Sequence, residues 1–420
     1  MKKIGLSVCS LLFTLTANCK QPLNRNQTNA IHSDSSATAV TNQKTTDVAG
    51  LKLSPAANET HLYLSYLKGK NIGMVVNPTS IIGKDKVTLV DSLVKLGVNI
   101  KKIYGPEHGF RGNASDGDTV NNSVDAKTGI PVISLYGKKF KPTPADLKGI
   151  NLMVFDIQDV GTRFYTYIST LHYVMEACAE NNIELMILDR PNPNGYFVDG
   201  PTLDTAFKSF VGMHPIPTVH GMTIAEYAQM INGEGWLKNR VKCKLKIIKV
   251  ANYNRAMDYT LPVSPSPNLN TQQSILLYPH TCWFEGTTFS LGRGTMFPFT
   301  VLGHPMLKGK YAFSFKPVSI PGMSDNPPQK NVECYGIDLR KYDTGLIKKN
   351  AKLNLTWLLD FYKNFPDKSK FFNAYFTKLA GTDQLRKQIE AGMSEAQIRK
   401  TWEPGLIKFK QIRKKYLLYN

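Results

Sequence analysis

A chain of 420 residues with 42% hydrophobic content can bury a sizeable core, and its length suggests about two domains. The net charge of +20 admits polyanionic partners such as a lipid surface or an acidic cell wall. The basic residues are thinly spread, with short runs such as Arg413-Lys414-Lys415 and no basic helix or aromatic–basic motif, so no nucleic-acid partner is expected.

Lys2 and Lys3 precede an apolar run from Ile4 to Ala17. A charged start before a short apolar stretch reads as an export signal and not as a membrane span. Cys19 stands in the position of a lipoprotein cysteine, after Leu15-Thr16-Ala17-Asn18, with Asn18 departing from the usual small residue. The expectation for residues 1–19 is a signal peptide of lipoprotein type; a plain signal peptide is the alternative. Residues 20–58 are rich in Asn, Thr, Ser, Gln and Ala and read as a disordered tether. The expected location is exported, periplasmic or cell-envelope, with membrane attachment only through an N-terminal lipid. Beyond Cys9 and Cys19, four cysteines (Cys178, Cys243, Cys282, Cys334) form no CxxC pair, so zinc spacing is absent; core thiols are expected, with one or two disulfides in an oxidising compartment as the alternative.

From residue 59 a strand–helix rhythm sets in. Ile72–Val76 reads as a buried strand ending at Asn77, Val87–Leu96 as an amphipathic helix stopped by Gly97, and Val98–Ile103 as a strand leading into Pro106-Glu107-His108. Leu152–Phe155 is a strand ending at Asp156. Thr170–Ala179 is a helix with Leu171, Val174, Met175 and Cys178 on one face, and Ile183–Leu188 is a strand ending at Asp189. Thr223-Ile224-Ala225-Glu226 is a capping box opening a helix, and Leu245–Val250 reads as a further strand. Continuous apolar strands alternating with helices predict an α/β fold, a Rossmann-like parallel sheet over 59–272. The denser aromatics, Pro and Gly from 273 predict a smaller α+β domain over 273–420. Ligands bind beyond the carboxyl ends of such strands, where Asn77, Glu107, Asp156 and Asp189 fall. Ordinary turn chemistry is the competing reading of each. With no GxGxxG after the first strand and no GxxxxGK[ST], no nucleotide or other cofactor is expected.

Five segments are too dense in polar, aromatic and turn residues for plain scaffold: 105–112 (GPEHGFRG), 156–167 (DIQDVGTRFYTY), 189–195 (DRPNPNG), 217–221 (PTVHG), and 266–295, which holds Ser266-Pro267-Asn268, Glu285-Gly286-Thr287 and Gly292-Arg293-Gly294-Thr295. In these motifs the chain from about residue 60 onward resembles the exo-β-N-acetylmuramidases, long carried as a domain of unknown function. The resemblance implies a Rossmann-like domain, a smaller C-terminal domain and a cleft between them. It also implies release of N-acetylmuramic acid (MurNAc) from the non-reducing end of MurNAc–GlcNAc units, for wall turnover or recycling. The glutamate of the GPEHGFRG segment, Glu107, is the family's proposed catalytic residue.

The residue chemistry supports such a role. Cleaving a glycosidic bond needs a proton for the leaving oxygen and stabilisation of an oxocarbenium-like centre. Glu107, in a glycine-flanked turn after a strand, is the candidate donor; a structural carboxylate paired with Arg111 is its alternative. His108 and Asp156 join it as catalytic candidates. The second role is open among Asp156, Asp159, Asp189, Glu285 and the substrate's own 2-acetamido group. The substrate-binding expectation comprises Arg111, Gln158, Arg163, Tyr165, Asp189, Asn192, His220, Asn268, Glu285 and Arg293. Within it Arg163 and Arg293 are candidates for the lactyl carboxylate, and Arg190 is read as a structural partner of Asp189. Two other functions compete: a non-catalytic muropeptide-binding lipoprotein, and a metal-dependent hydrolase built on His108, Asp156 and His220, for which no HExxH or paired-His spacing exists.

Overall fold

Strand β1 (Ile72–Val76) is an unbroken apolar run, buried along its whole length. Ile72, Met74 and Val76 enter one core layer and Val75 the other, as the two-residue period of a strand requires. At Gly73 a Cβ would meet Tyr104 Cε2 at 2.9 Å and Met153 Sδ at 3.0 Å, so the centre of the sheet has no room for a side chain there.

The computed structural model describes residues 52–112 and 121–420. Around β1 are β2 (Ile100–Gly105), β3 (Ser123–Val124), β4 (Pro131–Ser134), β5 (Leu152–Asp156), β6 (Glu184–Leu188) and β7 (Leu245–Ile248). They form one sheet in the order β3-β4-β2-β1-β5-β6-β7, parallel except where β3 runs antiparallel to β4. Helix α1 (Leu89–Lys95) buries Leu89, Val90 and Leu93 in one layer. Helices α2 (Tyr167–Glu180) and α3 (Ile224–Gly233) cover the opposite face. A parallel sheet wrapped on both sides, with its order reversing at β1, is the Rossmann-like arrangement expected. The Thr223 box forms as read: the Thr223 hydroxyl accepts from Glu226 N–H, and the Glu226 carboxylate accepts from Thr223 N–H.

The later part of the chain adds α4 (Gln272–Thr281), an antiparallel sheet of β8 (Val301–His304), β9 (Phe313–Phe315) and β10 (Cys334–Asp338), and then α5 (Thr356–Asn364), α6 (Phe376–Ala380) and α7 (Glu395–Lys414). The chain end returns to the parallel sheet, where the Tyr419 hydroxyl donates to Asp189 Oδ2 at 2.7 Å.

Some expectations shift. The helix placed at 87–96 begins at Leu89, because Val87–Thr88 pairs with Ile81–Ile82 in a small hairpin. The helix placed at 170–179 begins at Tyr167, so the aromatic motif before it runs into its first turn. Residues 52–58, expected within the tether, dock instead: Ser54 bridges Ala251, and Ala56 and Ala57 are small enough to be fully buried. The expected signal peptide, Cys19 and the rest of the expected tether lie outside the described residues. Cys178, Cys243, Cys282 and Cys334 are free thiols in the core. Among the described residues no helix is long and apolar enough to cross a membrane.

Candidate active site

Beyond the carboxyl edge of the sheet lies a cavity of about 610 Å³. Its walls come from the loops after β2 and β5 and, across from them, from α4, the segment around Arg293 and helix α6. Its size falls within the usual range of ligand pockets, about 300–1,000 Å³.

Glu107 is presented by a tight turn. Gly109 N–H donates to Pro106 O at 2.9 Å, and His108 takes a left-handed φ of 69°. Such a conformation is costly for a residue with a Cβ and is retained mainly where the surroundings enforce it. The turn leaves Glu107 half-buried on the cavity wall, with His108 beside it. Thr166 stands at the N-cap of α2, yet its side chain does not cap the helix. Its hydroxyl donates instead to Glu107 Oε2 at 3.2 Å. Tyr167 next to it donates to Pro265 O, and burial together with the Glu107 charge pushes its hydroxyl above the ordinary range.

The facing wall carries a second carboxylate. Glu285 Oε1 accepts from Arg293 Nε at 3.0 Å and Nη2 at 2.6 Å, and the guanidinium also lies 5.1 Å from the Phe299 ring centre. Tyr375 feels both acids: burial, then Glu285, Cys282 and Glu107, raise its hydroxyl. Asn268 donates through Nδ2 to Met323 O at 2.9 Å, which fixes its amide on the wall. The cavity thus offers one acid at the apex of a rigid turn, a second acid in an ion pair, and a mixed hydroxyl, amide and aromatic lining. That set can hold a sugar and move a proton at its linkage.

Six expected site residues meet here: Glu107, His108, Tyr165, Asn268, Glu285 and Arg293. The others do not line the cavity, and each is held elsewhere. Asp156 is wholly buried and bridged by Arg190, Nε to Oδ1 at 2.6 Å and Nη2 to Oδ2 at 2.9 Å, so it is a structural anion, and Arg190 serves Asp156 and not Asp189. Asp189 accepts from Ala225 N–H at the start of α3 and from Tyr419. Arg111, expected to bind substrate, grips Asp125 through two nitrogens and reaches Asp91, and the alternative pairing with Glu107 does not form. Gln158 spends its amide on the carbonyls of Asp159 and Pro191. Asn192 donates through Nδ2 to Met222 O and accepts through Oδ1 from Asn194 N–H in its own loop. His220 accepts from Met222 N–H, and with Asp156 committed to Arg190 the trio His108, Asp156 and His220 does not converge on a metal. Arg163, fully buried, gives four hydrogen bonds to the carbonyls of Pro201, Ile216, Leu379 and Ala380. It clamps the loop after β5 to α6, and cannot turn toward a ligand.

Asp159, beneath the cavity wall, is raised by burial to about 7, against the Gly161 and Val160 N–H groups that favour its anion. An acid raised in the folded state binds its proton more tightly there than in the unfolded chain. Its contribution is therefore present below the unfolded value near 3.8 and is lost as pH rises toward 7. His220 beside it, pushed down to about 3 by burial, supplies no compensating charge. Asp159→Asn is expected to melt progressively higher than the parent protein as pH rises from 5 to 8, by up to about 4 kcal/mol in stability. Thermal melting of both proteins across that range checks it; a constant gap would refute it.

Reading the sequence missed Tyr136, Phe140, Phe210, Tyr375 and Lys378, all on the cavity wall. Tyr136 and Phe140 follow β4, a strand short enough to pass unnoticed, and their bracketing of Gly137-Lys138-Lys139 was the available signal.

Comparison with known proteins bears on the same surfaces. Two family models, described as Exo-beta-N-acetylmuramidase NamZ, N-terminal and C-terminal, match residues 72–273 and 276–419. The peptidoglycan beta-N-acetylmuramidase NamZ of Bacillus subtilis (strain 168) is 40% identical over 373 residues, 85% of this chain and 89% of that protein. A DUF1343 family protein of Bacteroides fragilis NCTC 9343 superposes with a TM-score of 0.82 at 44% identity, covering 88% of this chain and 99% of the other. A second DUF1343 protein of that organism gives 0.74 at 28% identity over the same shares.

Proposed function

The chain belongs to the exo-β-N-acetylmuramidase family, and from that membership we propose that it hydrolyses the β-glycosidic bond of MurNAc–GlcNAc units, releasing MurNAc from non-reducing ends of peptidoglycan fragments. The observation that carries the reading is Glu107, half-buried at a turn apex on the wall of a sugar-sized cavity and contacted by the Thr166 hydroxyl. Glu107 donates the proton to the leaving oxygen. Glu285 and the substrate's own acetamido group are the two candidates for assisting at the anomeric carbon; Asp156, Asp159 and Asp189 stand outside the cavity. The two cations of the cavity lining, Arg293 and Lys378, are the candidates for the lactyl carboxylate. The export signal and Cys19 support a site of action in the cell envelope on a lipid anchor.

The test is a pair of aryl glycosides. The purified protein is expected to release p-nitrophenol from the β-MurNAc derivative and not from the matching β-GlcNAc derivative. Equal rates would remove the role given to the lactyl group. A peptide stem converts that carboxylate to an amide, so peptide-free fragments are expected to turn over faster than intact muropeptides.

A further inference from the structure

One side of the cavity is lined by aromatic rings that the fold leaves half-exposed: Tyr136, Phe140 and Phe210. Other lining side chains, such as Tyr165, Leu291 and Phe299, are buried. The lining thus has a buried part and a half-exposed aromatic part.

The rings are held rigidly. Phe140 and Phe210 lie 4.2 Å apart between centres, and Tyr173 of α2 stacks on each at 6.4 Å, with interplanar angles of 22° and 16°. Phe210 sits at the tip of a tight turn closed by reciprocal bonds between Ser209 and Gly212, and the Ser169 hydroxyl of α2 donates to its carbonyl at 2.6 Å. Phe140 lies between two tethered lysines, Lys139 on Asp146 at 2.8 Å and Lys141 on Glu176 at 2.6 Å. Leaving such rings half in water costs apolar burial. Three of them fixed on a binding cavity mark a surface that a ligand covers.

We propose that Tyr136, Phe140 and Phe210 form the subsite for the leaving sugar, stacking on the apolar face of the GlcNAc ring joined to the terminal MurNAc. The inference rests on the muramidase reading and deepens it. Pyranose rings present a face of C–H groups, which suits flat apolar rings. A peptide stem is the competing occupant.

The experiment compares two substrates, the MurNAc–GlcNAc disaccharide and methyl β-MurNAc, whose aglycone is too small to reach the rings. The measured quantity is the ratio of kcat/KM on the first to that on the second, in the parent protein and in Phe140→Ala, Phe210→Ala and Phe140→Trp. The expected result is a fall of about tenfold in the ratio for each alanine variant, with Phe140→Trp close to the parent. An unchanged ratio, including parallel losses on both substrates, overturns the proposal. So does a loss seen only on a peptide-bearing MurNAc–GlcNAc assayed as a third substrate, which would assign the rings to the stem. Cleavage of methyl β-MurNAc but not of the disaccharide by the parent overturns the subsite while sparing the muramidase reading. Cleavage of neither removes that reading and the subsite with it.

Discussion

Glu107→Gln is expected to fold, to melt near the parent temperature, and to turn over the MurNAc–GlcNAc disaccharide, whose sugar leaving group needs a proton, about 10²–10⁴-fold more slowly. The substitution keeps the shape of the side chain and leaves an amide oxygen to accept from the Thr166 hydroxyl, now 3.2 Å from Oε2. The turn that presents residue 107 is closed through the backbone of Pro106 and Gly109, so it does not depend on the carboxyl group. Only the transferable proton is lost. A binding lipoprotein would behave differently, since such a protein has no turnover to lose. Rate and melting curve measured on one preparation separate the cases: full activity in Glu107→Gln would strip the residue of its role, and an unfolded variant would place it in the scaffold.

Much of this arrangement is legible in the chain because it rests on local rules. The run Ile72–Val76 has no polar interruption and reads as a strand covered on both faces, and β1 occupies those same residues. The Thr223 box announces α3 because its bonds join residues three apart. The rim itself follows from strand ends, and Glu107 is found there. What sequence order does not encode is which partner each polar residue meets across the fold. Asp156 and Asp189 stand at strand ends just as expected, yet Arg190 crosses to Asp156, and Tyr419 comes from the chain end to Asp189. Arg163 sits in a motif dense enough to suggest a ligand, and its four acceptors lie 38 to 217 residues away. The rings at Phe140 and Phe210 belong to loops without periodicity, so their convergence at 4.2 Å had no sequence signal.

Asp156→Asn provides the sharpest test of that division between site and scaffold. The Asp156 carboxylate is wholly buried, and its two oxygens take the two prongs of Arg190, whose Nη2 also reaches Ile81 O at 3.2 Å. Removing the negative charge strands a guanidinium away from water, and breaking a buried pair from one side costs about 3–5 kcal/mol. The variant is therefore expected to lose that much stability in denaturant unfolding while its folded fraction keeps near-parental kcat and KM on aryl β-MurNAc, because Asp156 does not line the cavity. The double substitution Asp156→Leu with Arg190→Met removes both charges and is expected to recover part of the loss, since a well-packed apolar pair can match a buried ion pair. A stable, inactive Asp156→Asn would reverse the assignment and place this carboxylate in the chemistry.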